Sequence, residues 1–153
     1  MVVTGVDAVP ALIETARNAG GGHFHTLSYE DIANGGLSLN VDIAVSNFAL
    51  LGCESVQGVF AAVPARLNPA GLFFVQTLHP LSACGELPYR DGWRHGSWDG
   101  FSDAFTDPAP WYFRTLQSWV KLFSDAGMRL LEIREPPHPK TGKPASIIFI
   151  ARL

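Results

Sequence analysis

The sequence predicts an α/β fold built on an open, doubly wound and mostly parallel sheet. Strand-like and helix-like segments alternate over the first two thirds of the 153 residues, and such alternation is typical of parallel βαβ units. Apolar residues make up 47% and charged residues 16% of the chain, which is typical of a globular domain with a buried core. Because this length suits one domain, we predict a single domain over residues 1–153.

The first elements are a strand, a helix and a second strand. Val2–Val6 is a short β-branched run that ends in Asp7. Pro10 suits the first turn of a helix, where its missing N–H is not needed, and three glycines at 20–22 end that helix. The segment His23–Leu27 predicts the second strand.

The middle of the chain continues this pattern. We expect Val41–Val45 to be a strand that is buried on both faces, as strands of parallel sheets are. Helical spacing of apolar residues predicts a helix over Glu54–Leu67 that kinks or ends early at Pro64. Asn68–Gly71 then predicts a turn, and Leu72–Thr77 predicts a fourth strand.

Residues 81–110, named the lid here, break the alternation and are rich in aromatic residues, glycine and proline. Loops of this length in compact domains are usually functional or mobile. The rings in and just after the lid favour either an apolar pocket that excludes water or a cluster that holds the lid to the sheet. They belong to Tyr89, Trp93, Trp98, Phe101, Phe105, Trp111, Tyr112 and Phe113.

Regular structure returns after the lid. Apolar residues at helical spacing predict a helix from about Tyr112 to Ala126, which ends at Gly127. Arg129–Arg134 and Ser146–Arg152 predict the two strands of an antiparallel hairpin, joined by a proline-rich loop.

Composition excludes several classes of function. Eleven Lys and Arg against 14 Asp and Glu give a net charge of −3 and no basic stripe, so we expect no nucleic-acid partner. Two cysteines form no disulfide framework, and we find neither a signal peptide nor a membrane-length apolar stretch. We therefore expect a cytoplasmic protein without a membrane partner. His23 and His25 have no third ligand nearby in sequence, so we predict no metal site.

Polar groups after two of the predicted strands are candidates for ligand contacts. Asp7 ends the first strand at the carboxyl edge, where open α/β sheets bind ligands and where a carboxylate accepts ribose hydroxyls. The alternative for Asp7 is a turn or a helix N-cap. Asn47 and Phe48 follow the third strand, where backbone carbonyls suit a ligand ammonium, and the alternative there is an ordinary Asn turn.

Five segments, in order along the chain, resemble class I S-adenosylmethionine-dependent methyltransferases, in particular a subgroup that acts on small molecules. They are Thr4–Asp7 with Pro10 and Arg17, Asp42–Leu51, Arg66–Val75, Thr77–Pro80, and Tyr112–Trp119 with Asp125–Gly127. The resemblance covers essentially the whole chain. It implies a Rossmann-like fold, S-adenosylmethionine as cofactor and a small-molecule substrate.

The resemblance also implies residues for the cofactor. Asp7 would take the ribose hydroxyls, and Ser28 and Tyr29 would lie beside the adenine. The family has an acidic residue where this chain has Ser28, and Glu30 or Asp31 could substitute for it. The loop that contacts the amino acid portion of the cofactor corresponds to Asn47, Phe48 and Ala49.

For the methyl acceptor, the resemblance points to three further residues. His79 would face the transferring methyl group and act as a general base, and the alternative is a histidine that hydrogen-bonds the lid. Trp111 and Arg114 would bind the substrate, with Arg114 on a carboxylate of the substrate or of the cofactor. The alternative for Arg114 is an exposed position in the first turn of a helix.

One part of the family's pattern is missing. The chain begins at the family's second strand, without the first strand and the Gly-x-Gly-x-Gly loop, so we expect a truncated domain. Gly20–Gly22 is no replacement because it follows a helix and precedes a strand. Since the missing strand is central, we expect the gap to be closed by pairing of the Val2 and Val41 segments or by another chain, such as a second copy in a homodimer.

These observations predict a methyltransferase that transfers a methyl group to a small molecule by in-line displacement. Because the cofactor loop is missing, we expect the isolated chain to be weak or inactive. One alternative is a non-catalytic remnant or interaction module that pairs through an exposed sheet edge. Another is a nicotinamide-binding domain, in which an acidic residue also ends the second strand.

Overall fold

The computed structural model describes residues 2–96 and 107–153. In chain order the strands are β1 (Thr4–Asp7), β2 (His23–Thr26), β3 (Val41–Asn47), β4 (Leu67–Leu78), β5 (Gly92–Arg94), β6 (Trp111–Phe113), β7 (Arg129–Arg134) and β8 (Ser146–Arg152). The helices are α1 (Pro10–Ala19), α2 (Tyr29–Ala33), α3 (Glu54–Ala62), α4 (Pro80–Cys84) and α5 (Leu116–Asp125), with a 3₁₀ turn at Val63–Arg66. Among these described helices, none has the length and apolar character needed to cross a membrane.

The described strands form three separate sheets. The main sheet has the order β3-β4-β8-β7, in which β3 and β4 are parallel and the other two pairs are antiparallel. β1 and β2 form a parallel pair of their own, and β5 and β6 form an antiparallel pair. The predicted alternation of strands and helices and the predicted C-terminal hairpin are confirmed.

The ends of α1 and α3 follow from two prolines and a glycine. Pro10 is the first residue of α1, and Gly20 ends that helix with a φ of +73°. α3 stops at Ala62 and passes into the 3₁₀ turn that contains Pro64, because proline has no N–H for an interior helical hydrogen bond. The early end predicted at Pro64 is confirmed.

The core lies between the main sheet and the helices α3 and α5. The ring centroid of Phe60 on α3 lies 5.5 Å from that of Phe73 on β4 and 4.8 Å from that of Phe123 on α5. Phe149 on β8 lies 5.4 Å from Phe123. Burial of such large apolar side chains is the main favourable contribution to folding, so this layer holds β3 and β4 in place.

Two predicted boundaries were wrong. Asn68–Gly71 belongs to β4 rather than to a separate turn, and the register of β4 against β3 shifts there, with Ala70 at a φ of +65°. The helix predicted from Tyr112 begins at Leu116, because the residues before it pair with β5 as strand β6. The side chain of Thr115 then caps the helix by accepting a hydrogen bond from the backbone N–H of Ser118.

A gap separates β1 from β3. In the described structure β1 pairs with β2 and β3 pairs with β4, so the first of the two expected ways to close the gap, pairing of the Val2 and Val41 segments, was wrong. The expected burial of β3 on both faces was wrong as well, because no described element covers Ile43 and Val45, which are 54% and 69% exposed. One edge of β1 and one edge of β3 are therefore open for pairing.

Candidate functional site

The residues predicted to hold the cofactor lie after β1, after β2 and at the end of β3. Asp7 is the last residue of β1, Ser28 is the second residue after β2, and Asn47 ends β3. The carboxyl ends of parallel strands are where open α/β sheets bind ligands. The structure thus brings these residues to the carboxyl ends of the two parallel strand pairs.

Asp7 is half-buried and forms a tight turn with its own chain. Its Oδ1 accepts a hydrogen bond of 2.7 Å from the backbone N–H of Val9. This is the turn contact that the alternative interpretation of Asp7 predicts. No described residue donates to Oδ2, so this oxygen has the capacity to accept a hydrogen bond from a ligand hydroxyl.

Ser28 and Asp31 are engaged in a capping box at the start of α2. The Ser28 hydroxyl accepts from the backbone N–H of Asp31 at 3.1 Å, and Asp31 Oδ2 accepts from the backbone N–H of Ser28 at 2.8 Å. The Ser28 N–H, and to a lesser degree its hydroxyl, lower the pKa of the Asp31 carboxyl below its ordinary value. Both groups therefore serve the helix start, while Glu30 beside them stays exposed.

Tyr29 joins the two parallel strand pairs. Its hydroxyl donates a hydrogen bond of 2.7 Å to the carbonyl oxygen of Ala49, and its ring packs against the core. Burial, together with the negative charge of Asp7, raises the pKa of the Tyr29 phenol. The carbonyl of Ala49, a residue of the loop predicted to contact the amino acid portion of the cofactor, thus already accepts a hydrogen bond from the protein.

Asn47 and Phe48 remain accessible at the end of β3. Both are exposed, the Phe48 side chain by 42%. Phe48 has a φ of +50°, an uncommon conformation for a residue other than glycine, and its N–H donates to the carbonyl of Gln76 at 2.8 Å. Residues with unusual backbone angles are often found at ligand-binding sites, which agrees with the role predicted for this loop.

His79 is buried, at 2% exposure, and both of its ring nitrogens are engaged. Nδ1 accepts from the backbone N–H of Leu81 at 3.3 Å, so the proton of the neutral ring lies on Nε2, which is 2.8 Å from the carboxylate of Glu135. This contact makes His79 the N-cap of α4, and it reaches only Leu81, the first residue of the lid. The role of general base stays a prediction. It requires Nδ1 to lose its hydrogen bond from the Leu81 N–H and to take a proton from the methyl acceptor instead.

Arg114 is buried, at 4% exposure, and the alternative of an exposed arginine in a first helical turn was therefore wrong. Its Nη2 donates to the carbonyl oxygen of Cys53 at 3.0 Å. Its guanidinium carbon lies 4.8 Å from the ring centroid of Tyr112 and 5.3 Å from that of Trp119. Removal from water lowers the pKa of the guanidinium.

A small cavity lies beside Arg114, at the carboxyl ends of β3 and β4. It is lined by Leu50, Leu51, Thr77, Leu78, Pro80, Ala83, Trp111, Tyr112, Phe113, Arg114 and Trp119. The structure thus brings together Trp111 and Arg114, the two residues predicted to bind the substrate. His79 is not among the lining residues, although its neighbours on both sides are.

The described rings of the lid region pack mostly on one another. The centroids of Tyr89 and Phe113 are 5.8 Å apart, and those of Trp93 and Tyr112 are 5.5 Å apart. Such contacts agree with the interpretation that the rings hold the lid, whereas Trp111, which lines the cavity, agrees with the pocket interpretation. The other predicted rings, those of Trp98, Phe101 and Phe105, lie outside the described residues.

Solved structures resemble this fold closely. An S-adenosylmethionine-dependent methyltransferase from Mesorhizobium loti matches with a TM-score of 0.73 and 21% identity, over 99% of this chain and 80% of its own. A putative one from Listeria monocytogenes also gives 0.73, with 15% identity, over 97% of this chain and 78% of its own. The chain has the fold of the S-adenosylmethionine-dependent methyltransferases.

A further match is the glycopeptide N-methyltransferase MtfA complexed with sinefungin, with a TM-score of 0.71 and 15% identity. The match covers 98% of this chain and 70% of MtfA. No protein-family model and no curated protein matches the sequence. The predicted methyltransferase resemblance is confirmed at the level of the fold.

The residues at the strand ends fit part of the cofactor that this methyltransferase fold implies. Asp7 offers a carboxylate oxygen for ribose hydroxyls, and the exposed Asn47 and Phe48 lie where the amino acid portion is expected. The fit is weaker for the adenine, because Ser28 and Asp31 are engaged with each other. In the described part of the chain, no group of three His, Cys, Asp or Glu side chains could hold a metal ion.

Three features of the site were not anticipated from the sequence. The Ser28–Asp31 spacing is a capping signal that could have revealed α2. Glu135 as partner of His79 and the Cys53 carbonyl as partner of Arg114 had no such signal, because the partners are 56 and 61 positions apart. These contacts depend on how segments far apart in the sequence pack in three dimensions.

Proposed function

We propose that this chain is an S-adenosylmethionine-dependent methyltransferase that methylates a small molecule. The observation that carries the proposal is the position of Asp7 and Asn47 at strand ends of a methyltransferase fold. Tyr29 hydrogen-bonds the loop after β3, and a cavity that contains Arg114 lies at the carboxyl ends of β3 and β4. The open edges of β1 and β3 lead us to propose weak or no activity for the chain by itself.

On the cofactor side, Asp7 would bind the ribose hydroxyls through Oδ2. Asn47, Phe48 and Ala49 would contact the amino acid portion, and Ser28 and Tyr29 would border the adenine. S-Adenosylmethionine supplies a methyl group activated by a positively charged sulfur when it is bound. The hydrogen bond from Tyr29 to Ala49 supports this arrangement, because it holds the ends of β1–β2 and β3 together.

On the acceptor side, the chain's residues would orient the substrate and exclude water. Trp111 and Arg114 would bind the substrate, since they line the same cavity. The mostly apolar side chains of the cavity would exclude water from the reacting groups. Positioning and desolvation are major parts of catalysis by displacement. Where the acceptor must lose a proton, His79 would take it at Nδ1, while Glu135 holds the Nε2 proton and stabilises the imidazolium.

We also propose that a further strand pairs in the gap between β1 and β3, from a second copy of the chain or from another chain. Unpaired backbone groups of β1 and β3 favour such pairing, and so do the exposed side chains of Ile43 and Val45. The same observation favours a second candidate function. In that case the chain is an interaction module that binds no cofactor.

Calorimetric titration with S-adenosylhomocysteine, the demethylated cofactor, tests the proposal. Because β1 and β3 are each paired on only one edge in the described structure, we expect weak binding, with a Kd on the order of 1 mM, which corresponds to about 4 kcal/mol. We expect Asp7→Asn to abolish this binding, because it keeps an acceptor for Val9 but removes the charge. Glu14→Gln, on the exposed side of α1, is the control and should bind as the unaltered chain does.

The titration is repeated with the chain alone and with the chain mixed with a partner that supplies the further strand. If neither sample shows heat of binding at ligand concentrations several times this Kd, the cofactor proposal is contradicted and the interaction module is favoured. Light scattering coupled to size exclusion tests the partner proposal separately. A homodimer that dissociates on Val45→Lys supports pairing through β3, whereas a monomer rules out the second copy as the source of the strand.

A further inference from the structure

Arg114 combines burial with the absence of a carboxylate partner. It is 4% exposed, and within the described residues no Asp or Glu oxygen lies within the ion-pair distance of 4.0 Å from its guanidinium. The Asp91 carboxylate, whose charge it feels, accepts instead from the backbone N–H of Thr115 at 2.8 Å. A buried charge without a partner is costly to a protein, so such groups are typically paired or bind ligands.

The protein provides a hydrogen-bond acceptor for one of the two terminal nitrogens of the guanidinium. Nη2 donates to the Cys53 carbonyl, and the rings of Tyr112 and Trp119 lie against the cation. Nη1 is buried as well, yet it has no hydrogen-bond partner among the described residues. An unsatisfied buried donor is rare in native structures, so a ligand oxygen that reached Nη1 would satisfy it.

The cavity beside Arg114 has an apolar mouth. Leu51 and Leu78 line it and are 39% and 41% exposed, and Trp111 lies on the same cavity. Of the described lining residues, Arg114 alone carries a charge. The inner space is about 10 Å³, close to the space that one water molecule needs, so it suits a single small polar group such as a carboxylate oxygen.

We propose that the methyl acceptor is an apolar carboxylic acid whose carboxylate binds Nη1 of Arg114, while its hydrocarbon or aromatic part contacts Leu51, Leu78 and Trp111. This inference rests on the proposed methyltransferase function and names its substrate class. A carboxylate fits better than a phosphate, because a dianion with three terminal oxygens needs more donors than one nitrogen and a cavity of this size provide.

The test uses the full chain without cofactor and three pairs of probes, each a carboxylate and its neutral amide. They are benzoate and benzamide, phenylacetate and phenylacetamide, and hexanoate and hexanamide. Binding is followed by the indole signal of Trp119 in NMR spectra. We expect at least one carboxylate to bind at least tenfold more tightly than its amide, and this comparison needs no variant.

Variants then assign the binding to Arg114. Arg114→Gln should weaken carboxylate binding at least tenfold, and Arg114→Lys, which keeps the charge, should weaken it less. Arg129→Gln is the matched control, since Arg129 is exposed on β7 and should leave binding unchanged. Equal binding of acids and amides, no binding of any probe at tens of millimolar, or carboxylate binding that survives Arg114→Gln in a folded variant would each overturn the proposal.

A parallel titration with S-adenosylhomocysteine separates the acceptor from the cofactor as the source of the carboxylate. We expect Arg114→Gln to leave that titration unchanged, and a matching loss there would overturn the acceptor assignment. Carboxylate binding without any cofactor binding would contradict the proposed function but leave Arg114 as a carboxylate site. Cofactor binding without carboxylate binding would overturn this inference alone.

Discussion

The N-terminal unit, β1–α1–β2 over residues 4–26, and the main sheet with α3 and α5 differ sharply in how they are packed. The N-terminal unit fully buries only one side chain, that of Ile13 at 3% exposure. The main sheet and its helices bury a continuous cluster that includes Phe60, Phe123 and Phe149. Since burial of apolar area is the main source of stability, most of the folding free energy belongs to the main sheet.

This difference matters for function because the candidate site uses both regions. Asp7 belongs to the weakly packed unit, whereas Asn47 and Arg114 belong to the strongly packed one. The helix α2, which follows the N-terminal unit in the chain, links it to the main sheet, because α2 packs against α3 and its Tyr29 donates a hydrogen bond to the Ala49 carbonyl. The part of the site that contains Asp7 is therefore expected to be the more mobile one, and the part that contains Asn47 and Arg114 the more rigid one.

The largest expected effect comes from removing a ring in the main core. Phe149→Ala should lower the free energy of unfolding by about 3–5 kcal/mol, because the ring is fully buried against Trp119 and Phe123. Denaturant unfolding measures this loss. Ile133→Ala on β7, where the side chain is 42% exposed, is the control and should change stability far less. A loss below about 1 kcal/mol for Phe149→Ala would show that the core lies elsewhere.

A smaller effect is expected in the N-terminal unit. Ile13→Ala should cost about 2 kcal/mol, at the low end of the range for such truncations, because the cavity is created in a thin layer. Hydrogen exchange should show loss of protection in β1 and β2, with β4 and β8 unchanged. Leu12→Ala, 56% exposed on the same helix, is the matched control. Equal loss of protection in β4 would mean that the two regions unfold together.

The hydrogen bond from Tyr29 to Ala49 is expected to contribute still less to the free energy of unfolding. Tyr29→Phe keeps the ring in the core but removes the donor to Ala49, at a cost of about 1 kcal/mol. We expect faster amide exchange in the N-terminal unit and weaker binding of S-adenosylhomocysteine. If both stay unchanged in Tyr29→Phe, the packing of α2 against α3 joins the regions by itself.

The smallest expected effect is the pH dependence of the stability of α2. The hydrogen bonds from Ser28 lower the pKa of Asp31 in the folded chain, so the folded state binds fewer protons than the unfolded state. The stabilisation of α2 is thus present above the ordinary pKa of an aspartate and is lost as pH falls through the lowered value. NMR titration of the Asp31 carboxyl should show a midpoint below about 3.9. A midpoint at or above that value would contradict the capping box.

Local signals predicted most of the elements correctly. Pro10 and Gly20 bracket α1, and Pro64 ends α3, because each of these residues restricts its own backbone. The signals failed where partners distant in sequence decide the structure. Pairing with β5 turned the expected start of a helix at Tyr112 into strand β6, and Val45 is exposed because no described element covers that face of β3.

The candidate site also has features that local sequence signals predict and features that depend on distant partners. The positions of Asp7 and Asn47 could be predicted, because each ends a strand with a clear sequence pattern. The burial of Arg114 between two rings could not, since it depends on the fold of the lid against α5 and on a carbonyl 61 positions away. Sequence patterns thus predicted the strand-end positions of Asp7 and Asn47 better than the surroundings of Arg114.

The central claim is that one cofactor site spans both regions, and amide NMR spectra recorded during titration with S-adenosylhomocysteine test it most directly. The account predicts that signals of Asp7 and Tyr29 shift together with those of Asn47, Phe48 and Ala49, along one binding curve. Shifts confined to the main sheet, or none at several millimolar ligand, would contradict it.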